Sequence, residues 1–132
     1  MSEEIITRLQ FKVRDYECDM QGVVNNAVYQ NYYEHARHEY LFDRGFDFAE
    51  ITRSGIHLVV IRAEIDYKKP LKSGDCFVVV SAVERLSKLK FCFMQSILSE
   101  GEELKHSSAK ITCASLNALG RPSYYPHLEC LF

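Results

Sequence analysis

The sequence predicts an α+β domain: a five-stranded antiparallel sheet wrapped on one long helix. Three observations carry this prediction. Between Ala27 and about Asp43 the apolar residues recur at helical spacing. The other apolar stretches alternate with polar residues or run in valine and phenylalanine, as strands do. Four of the five strand-like stretches follow the helix and are joined by short turns, which makes neighbours pair antiparallel.

The elements follow in order. Leu9, Phe11 and Val13 alternate with Gln10, Lys12 and Arg14, a strand with one buried face. Asp19 to Asn26 breaks the alternation, with Gly22 supplying backbone freedom and Asn25 or Asn26 suited to cap a helix. Tyr29, Tyr32, Tyr33, Ala36, Tyr40 and Leu41 then define the buried stripe of the helix, which should stop near Gly45. A shorter helical turn is expected from Phe48 to Arg53. Beyond Gly55, strands are expected at Ile61 to Lys68, Cys76 to Glu84, Lys90 to Leu98 and Leu104 to Leu116. Ala118 to Phe132, with Gly120, Pro122 and Pro126, reads as an irregular tail with one helical turn.

One helix covers one face of such a sheet. Several strands are apolar on both faces, and nothing is left in the chain to cover the second. Self-association is therefore expected, most simply about a two-fold axis.

At 132 residues the chain fits a single domain, 1–132. Its 47% hydrophobic and 26% charged residues place it among globular rather than disordered proteins. The net charge of -2 speaks against a nucleic-acid surface. The start, Met1-Ser2-Glu3-Glu4, is acidic where a secretory signal is basic, and no apolar run has the ~18 residues of a membrane helix. Five cysteines without C-x-x-C spacing read as reduced core thiols of a cytoplasmic protein. Of the five histidines, only His35 and His38 are closely spaced, so no metal site and no cofactor is expected.

The chemistry concentrates between Glu17 and Tyr29. Asp19 ends a strand, a glycine-containing turn follows, and a long helix begins with its first N–H groups unpaired and its dipole positive. Such a terminus can hold a developing oxyanion, and a carboxylate beside it can act as a base on water or as a nucleophile. Asp19 can equally be a turn or capping aspartate, and spacing alone leaves both open.

The run from Phe11 to Tyr29 contains Asp19-Met20-Gln21-Gly22-Val23-Val24-Asn25-Asn26, then Glu34-His35-Ala36-Arg37 in the helix and Ile65-Asp66-Tyr67-Lys68-Lys69-Pro70 before Gly74-Asp75. This ordered set, from about Thr7 to Ser115, resembles the 4-hydroxybenzoyl-CoA thioesterase family of hotdog proteins. The resemblance implies the hotdog fold, a five-stranded antiparallel sheet around the helix, and assembly as a dimer or tetramer. It implies that Asp19 is the catalytic carboxylate and that the backbone N–H of Asn26 polarises the thioester carbonyl. An acyl-CoA would then lie along the subunit interface. Many members have His where Val23 or Asn26 stands, and this chain has neither.

Other residues are weighed beside these. Gly22, Tyr29 and Tyr33 are candidates to line the acyl pocket, though the tyrosines also suit the core. Arg85, Lys88 and Lys90, with Lys68, Lys69 and Lys72, are candidates for the CoA phosphates, or solvated turn residues. Glu34 lies eight residues past Asn26, roughly 12 Å along the helix, and suits an ion pair with Arg37. Cys18 reads as a structural thiol. The expected function is acyl-CoA hydrolysis. A non-catalytic module binding acyl-CoA or acyl-carrier protein is the alternative, and a hydratase ranks behind both for want of a histidine at the helix start.

Overall fold

Residues 5–132 are described by the computed structural model, the side chain of Phe48 excepted, so the acidic start Met1-Ser2-Glu3-Glu4 lies outside the described residues. The chain runs β1 (Ile6–Lys12), a 3-10 turn (Asp15–Glu17), α1 (Asn26–Asp43), α2 (Phe48–Arg53), β2 (His57–Tyr67), β3 (Cys76–Arg85), β4 (Lys90–Ser99), β5 (Lys105–Leu116) and a last 3-10 turn (Pro126–Leu131). The five strands form one sheet in the order β1-β3-β4-β5-β2, with every pairing antiparallel. The predicted α+β hotdog architecture is therefore the observed one. The chain leaves the sheet at one edge, passes along α1, and re-enters at the other edge as β2.

Helix α1 starts and stops for local reasons. Asn25 stays extended at φ -64 and ψ 141, and its side chain accepts the Ala27 N–H. At the other end Gly45 takes φ +84, the Gly45 N–H reaches the Phe42 carbonyl, and the Phe46 N–H reaches back to Leu41. That pair of bonds is a Schellman stop, which glycine adopts without steric cost.

Tyr29, Tyr32, Tyr33, Ala36, Tyr40 and Leu41 bury the helix stripe against Phe77, Val79, Phe91, Phe93 and Ile97 of the sheet. A polar clamp sets the position of the helix on this surface. Buried Gln95 donates to the Tyr33 carbonyl at 3.1 Å and to Ser81 Oγ at 2.9 Å, and accepts from Arg37 at 3.3 Å. Because buried polar groups must be paired, a slip of one residue would strand several at once. Arg37 thus turns toward the sheet instead of pairing with Glu34, which lies 3.7 Å from His38. Burial lowers the Arg37 guanidinium from its usual range.

Two further details differ from the expectations and one, the anchoring of the tail, adds to them. Strand β2 begins at His57, ahead of Ile61, because a bulge between Val60 and Arg62 resets the alternation partway along. The C-terminal tail is anchored: Leu128 and Leu131 are buried, and Tyr40 donates to the Leu131 carbonyl at 3.4 Å. Of the cysteines, Cys92 and Cys113 are buried, Cys18 is half-buried, and Cys76 and Cys130 are exposed. No helix among the described residues is long and apolar enough to cross a membrane.

Candidate active site at the start of the long helix

Between β1 and α1 the chain folds into a small hairpin. The Asn25 N–H donates to the Glu17 carbonyl at 3.1 Å, Cys18 pairs with Val24, and the Asp19 N–H donates to the Val23 carbonyl at 2.8 Å. Met20, Gln21 and Gly22 close it, with the Gly22 N–H on the Asp19 carbonyl and Gly22 at φ +81. A three-residue hairpin loop needs a left-handed residue at that place, and glycine supplies it. An added Cβ there would meet nothing within 4 Å among the described residues, so within the chain it is backbone shape that calls for Gly22.

Asp19 sits at the mouth of this loop, exposed. Its Oδ1 accepts the Gln21 N–H at 2.9 Å and the Val23 N–H at 3.4 Å. Its Oδ2 has no hydrogen-bond partner among the described residues. One carboxylate oxygen is thus tied to the turn and the other is not.

At the root of the same hairpin the helix opens. The Ala27 N–H is taken by the Asn25 side chain and the Val28 N–H by the Asn25 carbonyl. The Asn26 N–H finds no acceptor among the described residues, and Asn26 is exposed. Two strand residues, roughly 7 Å, separate this level of the hairpin from that of Asp19. A donor at a positive helix end and a half-free carboxylate therefore lie at the root and the mouth of one hairpin.

A cleft of about 160 Å³ adjoins the helix start, lined by Val23, Asn26, Tyr29, Tyr67, Lys68 and Lys69 among others. Tyr29 is buried and its hydroxyl accepts the Leu71 N–H at 3.1 Å. Burial raises the Tyr29 hydroxyl above its ordinary pKa, opposed by that hydrogen bond. Tyr67 stands edge-on to Tyr29 at 5.1 Å and donates to the Asn26 carbonyl at 3.4 Å. A larger cleft of about 970 Å³ lies on the other side of the 3-10 turn, against Phe11, Glu17, Tyr32 and His35. Asp19 lines neither cleft.

The structure does not gather every residue singled out from the sequence. Tyr33 is fully buried beneath the sheet, donates to Ser107 Oγ at 2.7 Å, and lines a separate cleft with Gln30, Glu34 and Arg37 rather than the one at Asn26. Arg85, Lys88 and Lys90 sit at and beyond the far end of β3, roughly 30 Å of strand from its start beside the hairpin. Arg85 is 2.5 Å from Glu129 and stacks over Phe132 at 4.3 Å, which holds the tail. The cations near the helix start are Lys68 and Lys69, which line the small cleft, and Lys72, which bridges to Val23.

Two residues at the site carry no signal in the sequence. Glu17 is buried at the hairpin root and bonded to Tyr32. His106 is also buried, with Nδ1 3.0 Å from the Lys69 carbonyl, and its own carbonyl accepts the N–H groups of Lys68 and Lys69. It thereby fixes the lysine-bearing wall of the cleft. Among the described residues no group of three or more His, Cys, Asp or Glu is placed to hold a metal ion.

Comparison with known proteins agrees with this architecture. The family model described as the thioesterase-like superfamily matches residues 13–126. The chain is 38% identical over 130 residues to the chloroplastic acyl-acyl carrier protein thioesterase ATL2 of Arabidopsis thaliana, covering 92% of this chain and 69% of that protein. It is 32% identical over 103 residues to the long-chain acyl-CoA thioesterase FadM of Escherichia coli, covering 78% and 77% of the two chains. A crystal structure of a hypothetical protein from Aquifex aeolicus superposes with a TM-score of 0.84 at 32% identity, over 97% of this chain and 99% of that one.

Proposed function

Because this chain belongs to the thioesterase-like superfamily, we propose that it hydrolyses an acyl-CoA to the free carboxylate and CoA, with Asp19 and the Asn26 N–H as its catalytic groups. The observation that carries this reading is the pairing on one hairpin of an unpartnered helix-start donor with a carboxylate that keeps one oxygen free.

The thioester carbonyl oxygen accepts the Asn26 N–H, so negative charge developing on that oxygen meets a donor already in place. Asp19 then acts in one of two ways. As a general base it takes a proton from water, the hydroxide adds to the carbonyl carbon, and the tetrahedral oxyanion collapses with loss of the CoA thiolate, which receives the proton. As a nucleophile its free oxygen forms the new C–O bond itself, the thiolate leaves, and water cleaves the resulting anhydride. Lys68, Lys69 and Lys72 supply positive charge beside the cleft for the carrier's phosphates. Arg85, Lys88 and Lys90, at the turn between β3 and β4, lie too far from the hairpin to serve the same chain's site, and would reach a substrate only from another subunit.

Two copies joined by antiparallel pairing of β2 complete the assembly in this reading. β2 is an eleven-residue edge strand with Val60 and Ile61 about half exposed. An edge so long and apolar is otherwise a liability.

The test is a thiol-release assay over a panel of acyl-CoA chain lengths, run on the wild type and on Asp19→Asn. Turnover of at least one ester is expected, falling about 10²-fold in the variant with its melting temperature unchanged. Equal turnover in both would remove Asp19 from the mechanism. Calorimetric binding of the esters without any thiol release would favour a non-catalytic binding module, which the lack of histidine at positions 23 and 26 motivates.

A further inference from the structure

We propose that Glu17 is a positioning residue for this site: its buried carboxylate locks the catalytic hairpin to α1. The inference rests on the reading of Asp19 and Asn26 given above.

Glu17 is 9% exposed, a carboxylate taken almost wholly out of water. Such burial is costly unless the charge is paired and hydrogen-bonded. Its Oε1 accepts the Arg14 N–H at 2.7 Å and the Tyr32 hydroxyl at 2.9 Å, and its Oε2 lies 3.7 Å from the Arg14 guanidinium. Its backbone carbonyl accepts the N–H of Asn25, the residue that caps α1.

Two parts of the chain therefore meet on this side chain, Arg14 and Tyr32, and a third, Asn25, meets the backbone of the same residue. Arg14 lies two residues past β1 and opens the 3-10 turn, Asn25 is the closing base of the hairpin, and Tyr32 is about two turns into the helix. Asp19 rides on that hairpin two residues from Glu17, and the Asn26 N–H adjoins the bond to Asn25. Without the lock, the hairpin root keeps the main-chain bond from Asn25 but loses its tie to the helix through Tyr32. The separation between carboxylate and oxyanion donor then becomes free to vary.

Tyr32 supports the same assignment. Its ring is packed at 4.8 Å from Phe77 and 5.5 Å from Phe11, so its hydroxyl is delivered to Glu17 in a fixed direction. Burial, then the bond to Glu17, raise the Tyr32 hydroxyl well above the ordinary tyrosine range, so it stays protonated and donates.

The test compares Glu17→Ala, Glu17→Gln and Tyr32→Phe with wild type and Asp19→Asn in steady-state thiol release, with thermal melts of each. Loss of positioning lowers kcat with KM little changed, since the substrate's binding surface is untouched. Glu17→Ala should lose about tenfold in kcat with KM within about twofold, the scale expected when a catalytic group is held loosely. Glu17→Gln keeps an oxygen acceptor for Arg14 and Tyr32 and should recover to within about threefold of wild type. Tyr32→Phe removes a single hydroxyl, so it carries the test if Glu17→Ala fails to fold, and it should lose kcat in the same sense. The proposal is overturned if Tyr32→Phe and the folded Glu17 variants keep wild-type kcat while Asp19→Asn is impaired. It is also overturned if KM rises in step with the fall in kcat, or if Glu17→Gln is as impaired as Glu17→Ala. If Asp19→Asn itself turns over normally, the reading of Asp19 falls first and takes the positioning role with it.

Discussion

Two carboxylates two residues apart do opposite work in the loop before α1. Glu17 is buried and fully engaged, while Asp19 is exposed with one oxygen free. Gly22 sets the path between Asp19 and the helix through its left-handed backbone. Gly22→Ala should cost about 1 kcal/mol in denaturant unfolding, from backbone strain and not from a clash, because the site around it is open. Gly22→Asn should cost less, as asparagine tolerates this region better than alanine. The turn at Asp19 and Gly22 and the helix start at Asn26 were legible because the hairpin is local and its residues fall in one short motif. Glu17 and His106 were not, since their burial is decided by Tyr32 and by Lys69, 15 and 37 residues away in the chain.

At the scale of elements, the strands and helix were read from period, and the misreadings arise where period is interrupted. The bulge between Val60 and Arg62 hid the first part of β2. The tail has the irregular path and single helical turn expected of it, at Pro126–Leu131, and what the sequence did not show is its anchoring by a contact 91 residues distant, Tyr40 to Leu131. That tail should behave as a structural clasp. Leu131→Ala removes a side chain that is 1% exposed and should destabilise by about 3 kcal/mol, measured by chemical denaturation. The clasp also has an acid limit. The hydrogen bond from Tyr124, and then Arg85, hold the Glu129 carboxyl below its ordinary value. A depressed folded pKa contributes stability that is present above the unfolded value and is lost as pH falls through the folded one. Tail protection in hydrogen exchange should therefore weaken below the ordinary carboxylate range, and Glu129→Gln should abolish that pH dependence.

For the whole molecule, the sheet has one covered face and two edges. The sequence pointed to a second copy because it offered no further element for the remaining apolar surface. In the structure Val78, Ala82, Cys92 and Ala114 are buried outside the central cluster, beside exposed Met94. The proposed pairing along β2 predicts that the wild type sediments as a dimer or larger, and that Ile61→Lys shifts it toward monomer. A wild type that sediments as a monomer at micromolar concentration would remove that assembly. Alkaline conditions set the opposite limit to the clasp. Burial raises the hydroxyls of Tyr29, Tyr32 and Tyr33. A raised folded pKa gives stability that is complete below the unfolded value near 10 and is lost as pH climbs through the folded one. Melting temperature should accordingly fall as pH rises beyond about 10.

The central claim is that the bare N–H at residue 26 stabilises the reacting carbonyl oxygen, and one substitution isolates it. Proline is tolerated at the first position of a helix, and the extended backbone of Asn25 suits a following proline. Asn26→Pro thus deletes the donor while leaving α1 able to form. The account predicts a loss on the order of 10²-fold in kcat for thiol release, with the melting temperature preserved. A folded Asn26→Pro enzyme with wild-type turnover would contradict it.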